Sequence, residues 1–269
     1  MKRQLLQTLC VMAIAIPLLL QSCLKPPVII PGPNHYRIVQ LKGIHGYDDL
    51  LDSVRISYNN KGNPVSLIAT QVTTGYPQFL IGYDNKHTLK CIIGAYSDDL
   101  PFFEIAHKYI TDNKGRVTTD STFTIGIYDR STMTVTSGYN TAVEYFSYDN
   151  KDRIVKSVRK QFPEEYYGIT TVYYHYNAAG NAYKISTVNF WQGQTSPPID
   201  VYPIYDDKLN PHQLHKIWMF NDRDYSVNNP FVADQYNNYG LPVSITAKET
   251  HQEFQFLNFN FKKLEIKYN

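Results

Sequence analysis

The stretch Tyr148-Asp149-Asn150-Lys151-Asp152-Arg153-Ile154 decides the fold, because variants of it recur along the chain. Seven copies begin at Tyr58, Tyr83, Thr111, Tyr148, Tyr176, Tyr205 and Tyr236, with spacings of 25, 28, 37, 28, 29 and 31 residues. Near-regular repetition at this period is typical of a repeated supersecondary unit. Each copy is predicted to be a turn. Its second residue is Asn or Asp, which accepts hydrogen bonds from the backbone two residues on, and glycine supplies a positive φ where it closes the copy.

The residues on both sides of each copy alternate between apolar and polar, as in half-buried antiparallel strands. Val54 and Ile56 share a face before the first copy, and Val65 and Leu67 share one after it. Each unit is therefore predicted to be a β-hairpin.

We predict an all-β fold, an antiparallel up-and-down meander of about seven hairpins and about 14–16 strands, curled or closed into a barrel-like sheet. Curling removes the two exposed edges that a flat sheet would leave. A propeller is the alternative, but its blades repeat at about 40 residues. The widest gap, between residues 111 and 148, predicts an extra or lengthened hairpin.

Residues 1–22 have the pattern of a lipoprotein signal peptide. Lys2 and Arg3 precede an apolar stretch, residues 9–20, that is too short to span a membrane comfortably. It ends in Leu20-Gln21-Ser22-Cys23, which resembles a lipobox and implies cleavage before Cys23 and acylation of that residue. The alternative is an ordinary secretory signal with a chance cysteine.

Three regions are therefore expected: a signal peptide (1–22), a lipidated N-terminus with a Pro-rich tether (23–35), and one hairpin-repeat domain (36–269). Several acyl chains on Cys23 would anchor the protein stably in a lipid bilayer. Leu24 stands where an Asp would favour retention in the inner membrane, so the outer membrane is favoured, with the leaflet open.

The copies starting at Thr111 and Tyr148, read together as Tyr-Asp-Asn-Lys-Gly-Arg-Val, resemble the YD repeat of Rhs-type proteins. Combined with the lipoprotein signal, they resemble a group of Gram-negative lipoproteins described as having a porin-like β-barrel fold. The resemblance covers residues 50–245 and implies a hairpin architecture without any catalytic residue. Copies five to seven lack the Arg after the turn, which departs from the pattern.

Charge and cysteine content exclude two classes of site. Without residues 1–22, which hold two of the 26 basic residues and no acid, the formal charge is 24 − 24 = 0. No basic field is left to neutralise phosphates, so nucleic acid is excluded as a partner. Cys91 would be the only cysteine besides Cys23, so it is expected to be a small buried apolar residue rather than a nucleophile.

Two sets of residues are candidates for chemistry. His212 and His215, with Asp222 and Asp224 nearby, have side chains of the kind that bind metal ions. The favoured interpretation is that the two histidines are a solvated pair in a loop and not a metal site. The second set consists of four pairs of adjacent acidic residues that could supply the two carboxylates of a hydrolase, and each pair lies in a predicted loop or turn: Asp48-Asp49, Asp98-Asp99, Glu164-Glu165 and Asp206-Asp207. No catalytic residue, cofactor or metal is predicted.

Aromatic residues are in surplus, with 23 Tyr, 13 Phe and two Trp. Most are expected to pack within the repeats. The candidates for stacking on a ligand such as a glycan are Trp191, Trp218, Tyr166, Tyr167 and Tyr202. Aromatic girdles of a membrane barrel are the alternative use.

The expected function is that of a non-enzymatic envelope lipoprotein, a β-scaffold that binds a glycan, another ligand or an envelope protein. The first alternative is a membrane-embedded barrel or channel. The second is an envelope hydrolase that uses paired carboxylates.

Overall fold

The computed structural model describes residues 36–45, 50–97, 100–163, 168–247 and 253–269. The predicted signal peptide, the tether and Cys23 lie outside the described residues, as do three of the four acidic pairs. Within the described ranges, no helix is both long and apolar enough to cross a membrane.

The predicted all-β meander is confirmed: the described residues form seventeen strands in one antiparallel sheet. The strands are β1 (Ile38–His45), β2 (Leu51–Tyr58), β3 (Pro64–Ala69), β4 (Gln78–Tyr83), β5 (Leu89–Ala95), β6 (Phe102–Thr111), β7 (Val117–Asp129), β8 (Thr134–Tyr148), β9 (Ile154–Gln161), β10 (Ile169–Tyr176), β11 (Ala182–Trp191), β12 (Gln194–Thr195), β13 (Ile199–Val201), β14 (Ala233–Tyr236), β15 (Pro242–Thr246), β16 (Phe254–Phe256) and β17 (Phe259–Tyr268). Between β13 and β14 lie a 3-10 helix, Pro211–Leu214, and a short α-helix, α1, Lys216–Asn221.

Each strand from β1 to β11 pairs with the next one along the chain, as expected for a meander. The last strand, β17, pairs with β1 on one side and with β15 and β16 on the other. The sheet therefore runs continuously from β14 through β17 and β1 to β11 and β13, without a described ladder between β13 and β14.

The turns between paired strands repeat one geometry. In the fourth copy, the backbone N–H of Asp149 donates to the carbonyl of Arg153 at 2.9 Å, and Oδ1 of Asp149 accepts from the backbone N–H groups of Lys151 and Arg153. The fourth residue after Tyr148, Asp152, has a φ of 60°. The same backbone closure is found in turns 59–63, 84–88, 112–116, 177–181 and 237–241. All these turns lie at one end of the sheet, called here the turn end.

The tyrosines that open the second, fourth, fifth and sixth copies tie each of these copies to the preceding one. The Tyr83 hydroxyl donates to the carbonyl of Pro64 at 2.6 Å, and that of Tyr148 donates to Val117 at 2.6 Å. The acceptor is in each case the first residue after the preceding turn. The same contact recurs at Tyr176 and Tyr205. Tyr268, which ends β17 and opens no copy, makes an equivalent bond to Pro242, and Tyr58 donates to Ile38. The repeat thus encodes a lateral clamp as well as a turn.

The sixth copy differs from the expected hairpin. The backbone N–H of Asp206 donates to Asn229 rather than closing its own turn. Pro211 follows, which has no N–H for a sheet ladder and opens the 3-10 helix, capped by the side chain of Asn210. Residues 210–229 form the segment called here the plug.

The plug fills the interior of the curled sheet. The Phe220 ring lies 5.4 Å from Tyr109 of β6 and 5.3 Å from Phe146 of β8. Asn221 accepts a hydrogen bond from Asn258, in the turn before β17, at 2.9 Å. One short helix can contact strands this far apart in the sheet order only if the sheet curls around it, and the interior is therefore packed.

Strands β7 and β8, of 13 and 15 residues, form a long hairpin, which confirms the lengthened hairpin predicted between residues 111 and 148. A second, smaller apolar cluster lies under this hairpin. Tyr128 and Met133 pack there against Cys91 and Phe103. Cys91 is 2% exposed, as predicted, and burial raises the pKa of its thiol to about 11.

Candidate functional site

A cavity of about 460 Å³ opens at the turn end. Three hairpin turns, at residues 114–116, 151–153 and 178–180, form one side of it, and helix α1 of the plug forms the other. Its volume lies within the range of about 300–1,000 Å³ that is typical of small-molecule sites.

The floor of the cavity belongs to the hydrophobic core. Val117 is 4% exposed, Ile217 is 2% exposed and Phe220 is 5% exposed. Two tyrosine rings complete this floor. Burial raises the pKa of Tyr148 to about 12 and raises that of Tyr225 well above its ordinary value, so both phenols are uncharged at neutral pH.

The rim of the cavity is cationic. It carries five basic side chains and one carboxylate, Asp152. The basic residues are Lys114, Arg116, Lys151, Arg153 and Lys216. An apolar floor below a rim in which basic side chains outnumber acidic ones is the arrangement expected for a ligand with an apolar part and a negatively charged group.

The two rim arginines are held in place by the turn motif itself. Arg116 lies 2.6 Å from the carboxylate of Asp112 and 2.7 Å from that of Asp152, with its guanidinium 4.9 Å from the Tyr148 ring centre. Arg153 pairs with Asp149 at 2.6 Å. Burial opposes ionisation of Asp112, but hydrogen bonds from Arg116 hold the pKa of its carboxyl below the usual value.

The lysines differ from the arginines. Lys114 lies 3.4 Å from Asp152, and both side chains are about half exposed, at 57% and 51%. Within the described part of the chain, no carboxylate lies within ion-pair distance of Lys151 or Lys216. These two ammonium groups are therefore available to an anionic ligand.

A cluster of charges lies deeper, where the plug meets β7 and β8. Nη2 of Arg223 lies 3.2 Å from the Glu144 carboxylate and 3.6 Å from that of Asp120, and Asp120 also contacts His107 Nδ1 at 3.0 Å. The Arg223 guanidinium is 4.2 Å from the Phe220 ring centre. Sequence reasoning missed this cluster, because nothing near Arg223 in the chain indicates that it would face two strands about 80 and 100 residues earlier.

The prediction that His212 and His215 form a solvated loop pair is wrong. His212 is 1% exposed, with Nε2 at 2.7 Å from Asp222 and Nδ1 at 3.4 Å from Asp224. His215 accepts a hydrogen bond from the backbone N–H of Ile217 at 3.2 Å and so caps helix α1. The reason is that Asp222 and Asp224 compensate the cost of burying His212 inside the plug.

The histidines do not form a metal centre. Across the described ranges, no group of three or more His, Cys, Asp or Glu side chains is arranged to hold a metal ion. The remaining acidic pair, Asp206-Asp207, lies beside the plug, and Asp207 pairs with Lys208 at 2.7 Å.

The predicted stacking residues are not brought together. Trp191 and Tyr202 are exposed, at 50% and 63%. Trp218 is 1% exposed, so its prediction as a ligand-stacking residue is wrong: it is the largest fully buried side chain of the core. Tyr166 and Tyr167 lie outside the described residues.

The comparisons with known proteins concern overall shape. No protein-family model matches the chain, and no curated protein matches its sequence. A porin-like protein from Bacteroides uniformis is similar in structure at 11% identity and a TM-score of 0.45, covering 88% of this chain and 97% of that one. TcdB2-TccC3 matches at 12% identity and a TM-score of 0.33, covering 76% of this chain. This chain spans 11% of the TcdB2-TccC3 chain.

Proposed function

We propose that the protein is a non-enzymatic binding scaffold of the cell envelope, lipid-anchored through Cys23 in the outer membrane, that holds an anionic amphiphile in the turn-end cavity. The ligand class is a molecule with an apolar chain and a phosphate, sulfate or carboxylate headgroup. The observation that carries the proposal is the apolar floor below a rim of five cations and one carboxylate.

Both parts of such a ligand find complementary surface. Each methylene group that leaves water for the floor formed by Val117, Ile217 and Phe220 contributes about 0.8 kcal/mol. The headgroup lies against Lys151 and Lys216, which have no carboxylate within ion-pair distance among the described residues. A partly exposed ion pair adds up to about 1 kcal/mol.

The lining supports binding rather than a reaction. The phenols of half-buried Tyr148 and buried Tyr225 remain protonated at neutral pH. Among the described lining residues there is no His, Cys or Ser side chain, so a nucleophile with its general base is not assembled there.

The alternative of a channel is disfavoured by two observations. The plug occupies the interior of the sheet. The outward face of β17 carries the exposed side chains Lys263, Glu265 and Lys267 in succession, whereas a membrane-embedded barrel presents an apolar band there.

A second candidate function is glycan binding on the outside of the sheet. An open groove of about 590 Å³ on β8 to β11 is lined by Tyr173, His175 and Tyr183, with the Lys156 ammonium 5.4 Å from the Tyr173 ring centre. Exposed aromatic faces with polar neighbours suit sugar rings. Affinity electrophoresis of Tyr173→Ala and Tyr183→Ala against polysaccharides, with the exposed Tyr139→Ala as control, tests this candidate; equal migration of all three would exclude it.

The primary proposal is tested by photo-crosslinking of the full-length protein in neutral phosphatidylcholine membranes. The probe is dodecyl phosphate with a diazirine at the end of its chain, and labelled peptides are mapped by mass spectrometry. Labelling is expected in the peptides around Val117, Tyr148 and Phe220. Unlabelled dodecyl phosphate should compete, whereas dodecyl maltoside and butyl phosphate should not.

Matched variants separate the site from nonspecific labelling. Lys151→Gln should weaken labelling about fivefold, whereas Lys61→Gln, at the same position of the first copy, should not. Ala178→Trp, which fills the mouth, should abolish labelling, whereas Asn60→Trp should not. Labelling spread over the outer strands, or equal labelling in each pair of variants, would overturn the proposal.

A further inference from the structure

The turn end presents a set of lysines that extends beyond the cavity. The fourth residue of each of the first four copies is a lysine, and all four are exposed: Lys61, Lys86, Lys114 and Lys151. Because the turns lie at the same end of the sheet, these four ammonium groups share one surface. This surface is called here the lysine ring.

The carboxylates of the same turns are directed differently. Oδ1 of Asp84, Asp112 and Asp149 accepts hydrogen bonds from backbone N–H groups within the turn, and the Asp112 and Asp149 carboxylates also pair with arginines. The second residue of the motif thus directs its carboxylate into the turn, whereas the lysine is exposed. Asp152, 51% exposed, is the acid of these four turns that faces solvent beside the lysines.

The chain also enters the domain at this end. The Tyr36 ring lies 4.8 Å from that of Tyr239, in the turn of the seventh copy. The carbonyl of Ile38 accepts from Tyr58, the tyrosine that opens the first copy, and the carbonyl of Arg37 accepts from Asn269 at 3.0 Å. The first described residues of the chain therefore lie at the turn end.

We propose that the lysine ring is the membrane-facing surface of the protein and docks on a bilayer that contains anionic phospholipid. Charge complementarity commits the surface to this partner, since each lysine close to an anionic bilayer strengthens association by about fivefold. The outward face of β17, where Lys263 and Lys267 flank Glu265, alternates in sign and offers no comparable field.

This inference goes beyond the proposed function, and the two sites share only Lys114 and Lys151. Docking also requires Lys61 and Lys86, which lie outside the cavity, whereas amphiphile binding also requires the cavity floor and mouth. The cavity-blocking Ala178→Trp variant is expected to dock normally, so that failure of one proposal leaves the other standing.

Lysine footprinting of the full-length protein tests the orientation. The protein is held in vesicles of phosphatidylcholine alone or of phosphatidylcholine with phosphatidylglycerol, its lysines are acetylated briefly, and the rate at each is read by mass spectrometry. In vesicles with phosphatidylglycerol, the lysine ring should react more slowly than in neutral vesicles. Lys42, Lys108 and Lys263 are exposed on the outward faces of β1, β6 and β17, called here the outer-strand lysines, and should keep their acetylation rates.

A matched pair of triple variants provides the control. Replacing Lys61, Lys86 and Lys151 with Gln should abolish the protection that remains at Lys114. Replacing the outer-strand lysines Lys42, Lys108 and Lys263 with Gln removes the same charge and should leave that protection unchanged. Equal protection of ring and outer lysines, or protection that survives the first triple variant, overturns the assignment.

Discussion

Replacing Tyr83 with phenylalanine removes one hydroxyl from the lateral clamp between hairpins. That hydroxyl donates to the carbonyl of Pro64 at 2.6 Å, and Pro64 is buried at the start of β3. Burial raises the pKa of Tyr83 well above its ordinary value, so the hydroxyl stays protonated and donates its hydrogen bond. The substitution keeps the ring and its packing, and the change in stability therefore reports the clamp alone.

The expected loss in the free energy of unfolding follows from the hydrogen bond that the Pro64 carbonyl loses. A typical hydrogen bond contributes about 1 kcal/mol net, and leaving a buried acceptor without its partner raises the cost toward about 2 kcal/mol. For a domain of this size, each kcal/mol lowers the melting temperature by about 2–4 °C.

Urea unfolding monitored by circular dichroism provides the assay. The midpoint should fall while the slope with denaturant stays constant, as for a local loss of stability. Tyr139→Phe is the control, because Tyr139 is 72% exposed, and it should change stability by less than about 0.5 kcal/mol. If both variants unfold at the wild-type midpoint, the recurrent tyrosines are not clamps and the reasoning is refuted.

Three further outcomes are expected. Arg223→Met, which removes the cation shared by buried Asp120 and half-buried Glu144, should cost about 3–5 kcal/mol in urea unfolding, and adding Glu144→Gln should recover part of it; a cost below about 1 kcal/mol contradicts the charge cluster. Burial alone would lower the pKa of His212, but its carboxylate neighbours raise it from 6.5 to about 9. Protonated His212 therefore stabilises the fold by up to about 3 kcal/mol below pH 6.5, and this stability is lost as the pH rises through about 9. Unfolding at pH 6 and pH 10 should show this slope in the wild type and not in His212→Gln; equal slopes contradict it. Cys91, at 2% exposure, should react with a thiol reagent more than tenfold faster in urea than in buffer, and equal rates would show that it is accessible.

Most of the architecture could be predicted because its causes are local. The Asx residue of each turn and the residue of positive φ that follows it act within five residues, as Asp149 with its hydrogen bonds and Asp152 show. Alternation of apolar residues on β2 likewise sets which face is buried. The lengthened β7–β8 hairpin was visible as an interval without a turn motif.

The plug could not be predicted, because its causes are not local. Helix α1 has six residues, too few for a helical period to stand out from the neighbouring strands. It is capped by His215, which is not a usual capping residue, and the sixth turn motif precedes it as though a hairpin followed. The burial of Trp218 and His212 depends on where this segment docks.

The cavity escaped prediction for a related reason. Its rim combines Lys114, Lys151 and Lys216, which come from two hairpin turns and the plug. In the sequence, the first two are ordinary turn lysines with no indication of a shared ligand. Only the curling of the sheet around the plug places them over one apolar floor.

The most direct test of the account is a crystal structure of the protein with dodecyl phosphate that carries bromine at the end of its chain. An anomalous bromine peak is expected within the turn-end cavity, between Val117, Tyr148 and Phe220, with the phosphate near Lys151 and Lys216. A bromine peak elsewhere, or an empty cavity at saturating ligand, would contradict the central claim.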